Sequence, residues 1–364
     1  MSYNSSMPSL AHADARLPHA ALTLTLSERG LLPEMLTRAA MRIHCAHHLR
    51  DERAGGPEVV WQRFQILLDS LRQSPIDGRL RMRRASREDT FPPRLFELTL
   101  GPRMLHSSAY FGKDTPDLAG AEEAMLDLCA ERAQLTDGQS ILELGSGWGA
   151  WTLWMAERFP SAKITAVCDT PAQAQHLRSR CASRRFTHVN VVQEAIDKLT
   201  LVDTDFDRVV SIGMFEHMRN YSTLLNRIAG WLRPGGTLFV HMLCHRELMY
   251  TLENNEQVHW LGDHFCAERL IAAASTLLYF QQHLILERHW LMPGSHHERT
   301  INAWLERQRS HRAELVELFA REYGQREAMR HYRSYRLALM GQSEMFGYAD
   351  GGEWMLTHYR FMKR

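Results

Sequence analysis

From Gly138 onward the sequence alternates short apolar runs with segments of helical periodicity, and this alternation strongly limits the possible folds. Apolar runs bounded by turn residues predict strands, and three- and four-residue spacing predicts helices between them. Parallel strands need crossover connections, so we expect an α/β fold with a Rossmann-like sheet and helices on both faces. The predicted strands are 140–144, 163–168, 189–193, 206–212, 237–243, 284–291 and 353–361, and the predicted helices are 151–158, 172–182, 224–232 and 300–323.

A glycine-rich loop directly follows the first predicted strand. The loop at 145–149 reads GSGWG, and its glycines let the backbone turn tightly and approach a ligand at the carboxyl edge of the sheet. A dinucleotide-binding loop reads GxGxxG, whereas this one reads GxGxG with Glu143 two positions before it. The spacing therefore disfavours a nicotinamide dinucleotide.

Polar side chains follow the next two strands in the order that contacts with adenosine require. Asp169 comes just after the second strand, where it can accept from ribose hydroxyls, and Gln173 lies one helical turn further on. Glu194 ends the third strand and can accept from an adenine amino group, while the Ala195 amide can donate to the ring. Acceptors at the tips of successive strands predict S-adenosylmethionine as the cofactor.

Composition excludes several other classes of protein. The 43 Lys and Arg against 42 Asp and Glu give a formal net charge of +1, so no nucleic-acid partner is expected. The six cysteines form no CxxC pair, so we expect no metal site and a reducing, cytoplasmic location. No apolar run reaches the roughly 18 residues of a membrane span, and the N-terminus lacks a signal-peptide pattern. Integral membrane contact is therefore not expected.

The chain is predicted to have three regions. Residues 1–30 form a mobile arm, 31–115 a helical cap, and 116–364 the cofactor-binding domain with a helical insert at about 245–282. The cap and the insert are hypothesised to enclose the substrate pocket. A dense basic run at 79–87 is interpreted either as a solvated segment or as a peripheral contact with acidic lipid headgroups. The oligomeric state is left open.

Three segments carry a family resemblance. Residues 206–218 read FDRVVSIGMFEHM, and this segment resembles the cyclopropane-fatty-acid synthase group of class I methyltransferases. SSAYF at 107–111, and HHERT at 296–300 with Trp304, are similar to two further motifs of that group.

Within the group the chain is most like the coclaurine N-methyltransferases, which methylate benzylisoquinoline amines. This likeness rests on LFVH at 238–241, LLYFQ at 277–281 and FGYADGGEWM at 346–355. It implies a class I methyltransferase fold, S-adenosylmethionine as cofactor and a small amine as methyl acceptor.

The residues of the site can be assigned on this basis. Glu216 and His217 are placed to orient an ammonium group and accept its proton, and His241 is expected to contact the substrate. Aromatic side chains suit the positive sulfonium through cation–π contact. The expected cofactor contacts are Ser107, Glu143, Gly145, Gly147, Trp148, Gly149, Asp169, Gln173, Glu194, Ala195 and Ile212, and the expected substrate pocket is Tyr110, Phe111, Phe215, Tyr279 and His297.

One departure from the group concerns a bound bicarbonate ion. Cyclopropane synthases hold this ion with a cysteine, a tyrosine, a glutamate and a histidine. Glu216 and His241 match the last two, but Ser108 and His297 replace the cysteine and the tyrosine. The alternative function, transfer of a methylene or methyl group to an unsaturated lipid acyl chain, would use 79–87 as its membrane-facing patch.

Two further departures concern the amine and the cofactor. Gly213 stands where the alkaloid enzymes usually carry an acidic residue. Asp89-Thr90 replaces a His-Tyr pair of the group, so one cofactor contact is expected to be missing or replaced.

Overall fold

A computed structural model describes Thr23 and residues 25–78, 91–202, 204–251 and 270–364. The strands of these residues are β1 (Ser140–Leu144), β2 (Lys163–Cys168), β3 (Val189–Gln193), β4 (Phe206–Ile212), β5 (Leu232–His245), β6 (Tyr250–Thr251), β7 (Leu270–Ile271), β8 (Leu284–Pro293) and β9 (Trp354–Lys363). Seven of them form one sheet in the order β3-β2-β1-β4-β5-β9-β8, and β6 pairs separately with β7.

The strand directions bring several strand tips to one edge of this sheet. Strands β3, β2, β1, β4 and β5 are parallel to one another, whereas β9 runs antiparallel between β5 and β8. The carboxyl ends of β1 to β5 therefore share the edge where open α/β sheets bind ligands. The predicted α/β sheet is confirmed.

Both faces of the sheet are buried, as its apolar strands require. Val209 and Leu238 belong to a core cluster on one face, and Val210 and Phe239 belong to a cluster on the other. Successive side chains of a strand point to opposite faces, so continuous apolar runs need helices on both sides. This is why the strands read as unbroken apolar runs in the sequence.

Four strands match their predicted bounds, and three extend beyond them. Strands β1 to β4 begin and end as predicted. Strand β5 continues to His245 because the antiparallel strand β9 offers hydrogen-bonding partners as far as the His245–Trp354 pair. The same pairing sets the ends of β8 and β9 beyond the apolar residues that signalled them.

Helices pack on both faces of the sheet. They are α1 (Glu34–Glu52), α2 (Gly56–Gln73), α3 (Pro93–Thr99), α4 (Leu118–Ala133), α5 (Ala150–Arg158), α6 (Pro171–Ser183), α7 (Tyr221–Trp231), α8 (Ser295–Ser310), α9 (Arg312–Tyr323) and α10 (Gln325–Gly347). The helices predicted at 151–158, 172–182 and 224–232 correspond to α5, α6 and α7.

Two differences concern the C-terminal helices. The single helix predicted at 300–323 is two helices, α8 and α9, which meet at His311. Helix α10 was not predicted, although it is the longest helix of the described residues. Its sequence is rich in charged residues, and buried Arg336 and Glu344 interrupt the apolar pattern that would signal it.

The prediction of inserted helices at 245–282 is wrong for the part that the structure describes. Residues 245–251 and 270–282 contain the two-stranded β6–β7 sheet and a short 3₁₀ helix, Thr276–Tyr279. The apolar run at 270–274 is too short for a stable helix, and Leu270–Ile271 pairs with Tyr250–Thr251 instead. Residues 252–269 lie outside the described part.

The N-terminal helices α1 to α3 pack against helices of the region that contains the sheet. Helix α1 contacts α10, α2 contacts α7, and α3 contacts α8. The basic run at 79–87 lies outside the described residues, as does most of the predicted arm at 1–30. Within the described residues, no helix combines the length and the apolar character that a membrane span requires.

Candidate active site

The glycine loop leaves open space at the edge of the sheet. Gly147 has a φ of +53°, and a Cβ added there would meet no atom within 4 Å. The neighbouring glycines are close to protein instead: a Cβ on Gly145 would lie 2.8 Å from Met214 Cβ, and one on Gly149 2.5 Å from Leu177 Cδ1. The loop therefore packs tightly at both ends and offers bare backbone to a ligand at its centre, which fits an adenosine cofactor.

The predicted adenosine contacts lie at neighbouring strand tips. Asp169 follows β2 and is half-buried, and the Gln173 amide donates to Thr170 Oγ1 at 3.2 Å as α6 begins. Glu194 follows β3, which is the next strand of the sheet. The Ala195 amide, expected to donate to the adenine ring, donates instead to Glu194 Oε1 at 3.0 Å because this carboxylate folds back on its own backbone.

Glu143 and Ile212 lie deeper in the sheet than the loop. The Glu143 side chain is 3% exposed and accepts a hydrogen bond from Thr152 Oγ1. Burial raises the pKa of the Glu143 carboxyl to about 7. This acid thus ties β1 to the first turn of α5, while half-buried Ile212 is the last residue of β4.

Glu216 and His217 lie in a 3₁₀ helix just beyond β4. The chain turns at Gly213, whose φ is +70° and whose amide donates to His241 O at 3.1 Å. The 3₁₀ helix Phe215–His217 then places both half-buried side chains near the carboxyl ends of β4 and β5. Glu216 Oε1 accepts from the Leu243 amide at 2.7 Å, which fixes the carboxylate against β5.

His241 is fully buried with partners on both ring nitrogens. Its Nε2 lies 3.0 Å from Ser107 Oγ, and its Nδ1 lies 2.8 Å from His358 Nε2. Burial lowers the pKa of His241 to about 3, and Arg132 contributes in the same direction. The expected substrate contact by His241 is therefore replaced by contacts within the protein.

Sequence reasoning missed two members of this cluster. His358 comes from β9, and Arg132 comes from α4. Neither residue belongs to a motif, and only the folded sheet brings them to His241.

Three of the five aromatic side chains expected around the cofactor or substrate pack elsewhere. Phe215 is 0% exposed and stacks on Tyr221 in the core. Trp148 packs against Phe96 of α3 and His176 of α6. Apolar rings this large are drawn into the nearest core, because burial stabilises them more than a partly open pocket does.

Tyr279 is the third of these side chains. Its ring packs against Phe64 of α2 at 5.4 Å and faces Trp61 at 6.5 Å. The contact joins the segment after β7 to the N-terminal helices.

Tyr110 and Phe111 meet the start of α8. The Tyr110 ring stacks on His296 at 4.6 Å, and the Phe111 amide donates to His296 Nδ1 at 3.1 Å. The Arg299 guanidinium lies 4.3 Å from the centroid of the Phe111 ring. His296 belongs to the HHERT motif, so the sequence singled out this residue but did not predict its contacts with Tyr110 and Phe111.

Two of the residues in the bicarbonate positions, Ser108 and His297, are buried. Ser108 is fully buried, and its hydroxyl donates to Ala109 O at 3.0 Å. His297 is also buried, with the Phe346 ring at 4.6 Å, and burial lowers its pKa to about 3. A hydroxyl whose proton is already donated and a neutral imidazole form a weak anion site.

The chain matches characterised proteins over most of its length. The family model described as mycolic acid cyclopropane synthetase matches residues 87–348. The (S)-coclaurine N-methyltransferases of Thalictrum flavum subsp. glaucum and Papaver somniferum are both 32% identical over 93% of this chain, covering 94% and 96% of their own lengths. The cyclopropane-fatty-acyl-phospholipid synthase of Escherichia coli K12 is 27% identical over 58% of this chain and 53% of its own.

Among solved structures, too, the match to a coclaurine N-methyltransferase is more extensive than the match to a cyclopropane synthase. A coclaurine N-methyltransferase bound to N-methylheliamine and SAH superposes with a TM-score of 0.85 and 31% identity, over 94% of this chain and 98% of that one. The cyclopropane synthase MmaA2 of Mycobacterium tuberculosis has a TM-score of 0.63 and 21% identity over 76% of this chain and 95% of its own, a likeness of fold.

Proposed function

This chain belongs to the mycolic acid cyclopropane synthetase family and is an S-adenosylmethionine-dependent methyltransferase, and we propose that it methylates the nitrogen of a small amine. The observation that carries the choice of acceptor is the extent of the likeness to coclaurine N-methyltransferase, 94% of this chain at a TM-score of 0.85. The match to a lipid-modifying synthase covers 76% at 0.63. The amine enzyme thus shares segments that the lipid enzyme's match leaves out.

The cradle formed by residues 145–149 would hold the cofactor. The bare backbone at Gly147 gives the close approach that the ligand needs, and Asp169 and Glu194 offer acceptors at the tips of the next two strands. When bound, S-adenosylmethionine supplies a methyl group activated by its sulfonium. The protein's task is then to position a nucleophile in line with that methyl group.

Glu216 and His217 would prepare the amine. An amine is mostly protonated at neutral pH and must lose a proton before its lone pair attacks carbon. Glu216 is held against β5 through the Leu243 amide. Its carboxylate offers a counter-charge to the ammonium, in place of the acidic residue that the alkaloid enzymes usually carry at the position of Gly213. His217 follows Glu216 in the same 3₁₀ helix, and its imidazole can accept and release a proton.

The lipid alternative is less well supported by the side chains present. Ser108 donates its proton to a backbone carbonyl, and His297 is buried and neutral. Ser108 therefore has no hydroxyl proton left to donate, and neutral His297 brings no positive charge to bicarbonate, the base used in cyclopropanation.

The proposal is tested with methyl-labelled S-adenosylmethionine and purified protein. One reaction receives (S)-coclaurine or tetrahydroisoquinoline, and another receives vesicles of unsaturated anionic phospholipid with bicarbonate. With amine, we expect label that stays aqueous in acid and enters organic solvent after alkalinisation. Label that follows phospholipid at both pH values, with none in the amine fraction, would establish the lipid function instead.

A further inference from the structure

Four side chains form a buried hydrogen-bonded chain behind the site. Arg132 Nη1 lies 2.9 Å from His358 Nδ1, His358 Nε2 lies 2.8 Å from His241 Nδ1, and His241 Nε2 lies 3.0 Å from Ser107 Oγ. Both histidines are 0% exposed and Ser107 is 5% exposed. The chain joins α4, β9 and β5 to the segment before α4.

The direction of every hydrogen bond follows from its first member. A guanidinium can only donate, so His358 Nδ1 accepts and the His358 proton must reside on Nε2. His358 then donates to His241 Nδ1, which leaves the His241 proton on Nε2 facing Ser107 Oγ. Because Ser107 Oγ accepts the hydrogen bond from His241 Nε2–H, its own hydroxyl hydrogen must point away from His241.

A metal ion is a poor alternative for this cluster. Cys129, His241 and His358 place one ligand atom each within 4.8 Å of the others. However, the two histidine nitrogens lie at hydrogen-bond distance, and the Arg132 guanidinium contacts the second nitrogen of His358. A cation bound there would meet a positive charge that the fold has already placed.

The Ser107 side chain lies beside the cradle. A Cβ added at Gly213 would be 3.7 Å from Ser107 Oγ, and Met214, the next residue, packs against Gly145 at the start of the glycine loop. Ser107, Gly213 and Gly145 are therefore contiguous at the carboxyl edge of the sheet.

We propose that Arg132, His358 and His241 are positioning residues that hold the Ser107 hydroxyl as a hydrogen-bond donor to an acceptor oxygen of the cofactor. This inference rests on the cofactor placement in the proposed function and is independent of which acceptor is methylated. Burial and Arg132 keep the pKa of both histidines below its ordinary range, so the imidazoles stay neutral and the direction of the chain does not reverse at neutral pH.

The test measures binding of S-adenosylhomocysteine to the full chain by titration calorimetry. Ser107→Ala and His241→Leu should each weaken binding about 10-fold, the usual loss for one hydrogen bond to a charged or polar ligand group. The double variant should bind no more weakly than Ser107→Ala, because His241 acts only through the Ser107 hydroxyl that this variant lacks. His358→Phe should also weaken binding, since it frees His241 to take the other tautomer and accept from Ser107.

Two variants separate positioning from simple structural support. In His241→Gln the side-chain amide can still donate to Ser107, so binding should recover most of the loss seen in His241→Leu. His289→Phe is the matched control, because His289 belongs to the same sheet, bonds Thr357 Oγ1 at 2.8 Å and stacks on Tyr359 without joining the chain. Its binding should equal that of the unaltered protein.

Two results would contradict the proposal. Wild-type affinity in His241→Leu, or losses that multiply in the double variant, would overturn the positioning role. Thermal unfolding checks that each variant is folded. If His241→Leu does not fold, His241→Gln and His358→Phe test the positioning role. Since binding of S-adenosylhomocysteine needs no amine, failure of the amine proposal would appear in the label assay alone.

Discussion

At the scale of single residues, Gly147 shows how a missing side chain makes a binding site. Its positive φ and the open space around its would-be Cβ are the two features that a close backbone–ligand contact needs. Gly138, in the turn before β1, shares both features but lies at the opposite end of that strand. Comparing substitutions at Gly147 and Gly138 therefore separates the effect of backbone strain from the effect of ligand contact.

We predict that Gly147→Ala weakens binding of S-adenosylhomocysteine at least about 10-fold, because the new methyl group enters the cradle. Both Gly147→Ala and Gly138→Ala should lose about 1 kcal/mol of unfolding free energy, since both place alanine in a left-handed conformation. Calorimetry and urea unfolding measure the two effects. Equal affinity in the two variants would remove Gly147 from the cofactor site.

Glu216 gives a second prediction at this scale. Glu216→Gln keeps an oxygen for the Leu243 amide but cannot accept a proton, so turnover should fall at least ~100-fold, the scale of a lost general base. Binding of S-adenosylhomocysteine should stay within about twofold. The control is Glu247→Gln, an exposed acid that pairs with the neighbouring Arg246. Near-normal turnover in Glu216→Gln would refute the assigned role.

At the scale of elements, strands β1 to β4 could be predicted to the residue, whereas the ends of β5, β8 and β9 and some helices could not. Strands β1 to β4 are short apolar runs with clear boundaries, and the motifs at their tips gave Asp169, Glu194 and Glu216. Helix α10 could not be found, because its buried face carries Arg336 and Glu344, whose partners lie on distant elements. His358 reaches His241 across 117 residues, a proximity that only the antiparallel β9 creates.

The α1–α10 contact gives the prediction at this scale. Glu344, with a side chain 3% exposed, bonds Arg38 at 2.7 Å and also pairs with Arg42. Glu344→Gln removes one of the two carboxylates that the partly buried Arg38 contacts, the other being Glu34, and should cost about 2 kcal/mol of unfolding free energy, less than a fully buried pair. Glu317→Gln, in an exposed pair with Arg321, should cost under about 0.5 kcal/mol. Equal costs by urea unfolding would contradict this packing.

At the scale of the whole molecule, buried titratable groups set how stability depends on pH. Burial lowers the pKa of His241 and His297 to about 3 and of His48 and His245 to about 4. Below pH 6.5 the unfolded chain binds protons that the folded chain refuses, so acid favours unfolding. Two buried acids act in the opposite sense: burial raises the pKa of Glu122 and Glu143 to about 7, and their stabilisation is lost as pH rises from 4.5 to 7.

The histidines outnumber these acids, so we expect the unfolding free energy of the cofactor-free protein to fall steadily from pH 6.5 to 4. Urea midpoints at half-unit pH steps measure it. His245→Phe should flatten the slope, because one fewer group titrates on unfolding. A protein equally stable at pH 5 and pH 7 would show that these histidines are solvated and titrate normally.

Following the carbon atom of the activated methyl group shows whether it goes to an amine nitrogen. Protein is incubated with S-adenosylmethionine labelled with carbon-13 in its methyl group, together with an amine such as (S)-coclaurine and unsaturated phospholipid vesicles in one vessel. Carbon NMR of the products then locates the label. We predict a nitrogen-bound methyl signal that disappears with Glu216→Gln, whereas a cyclopropane methylene or a carbon-bound methyl signal in the lipid, with no N-methyl product, would contradict transfer to an amine.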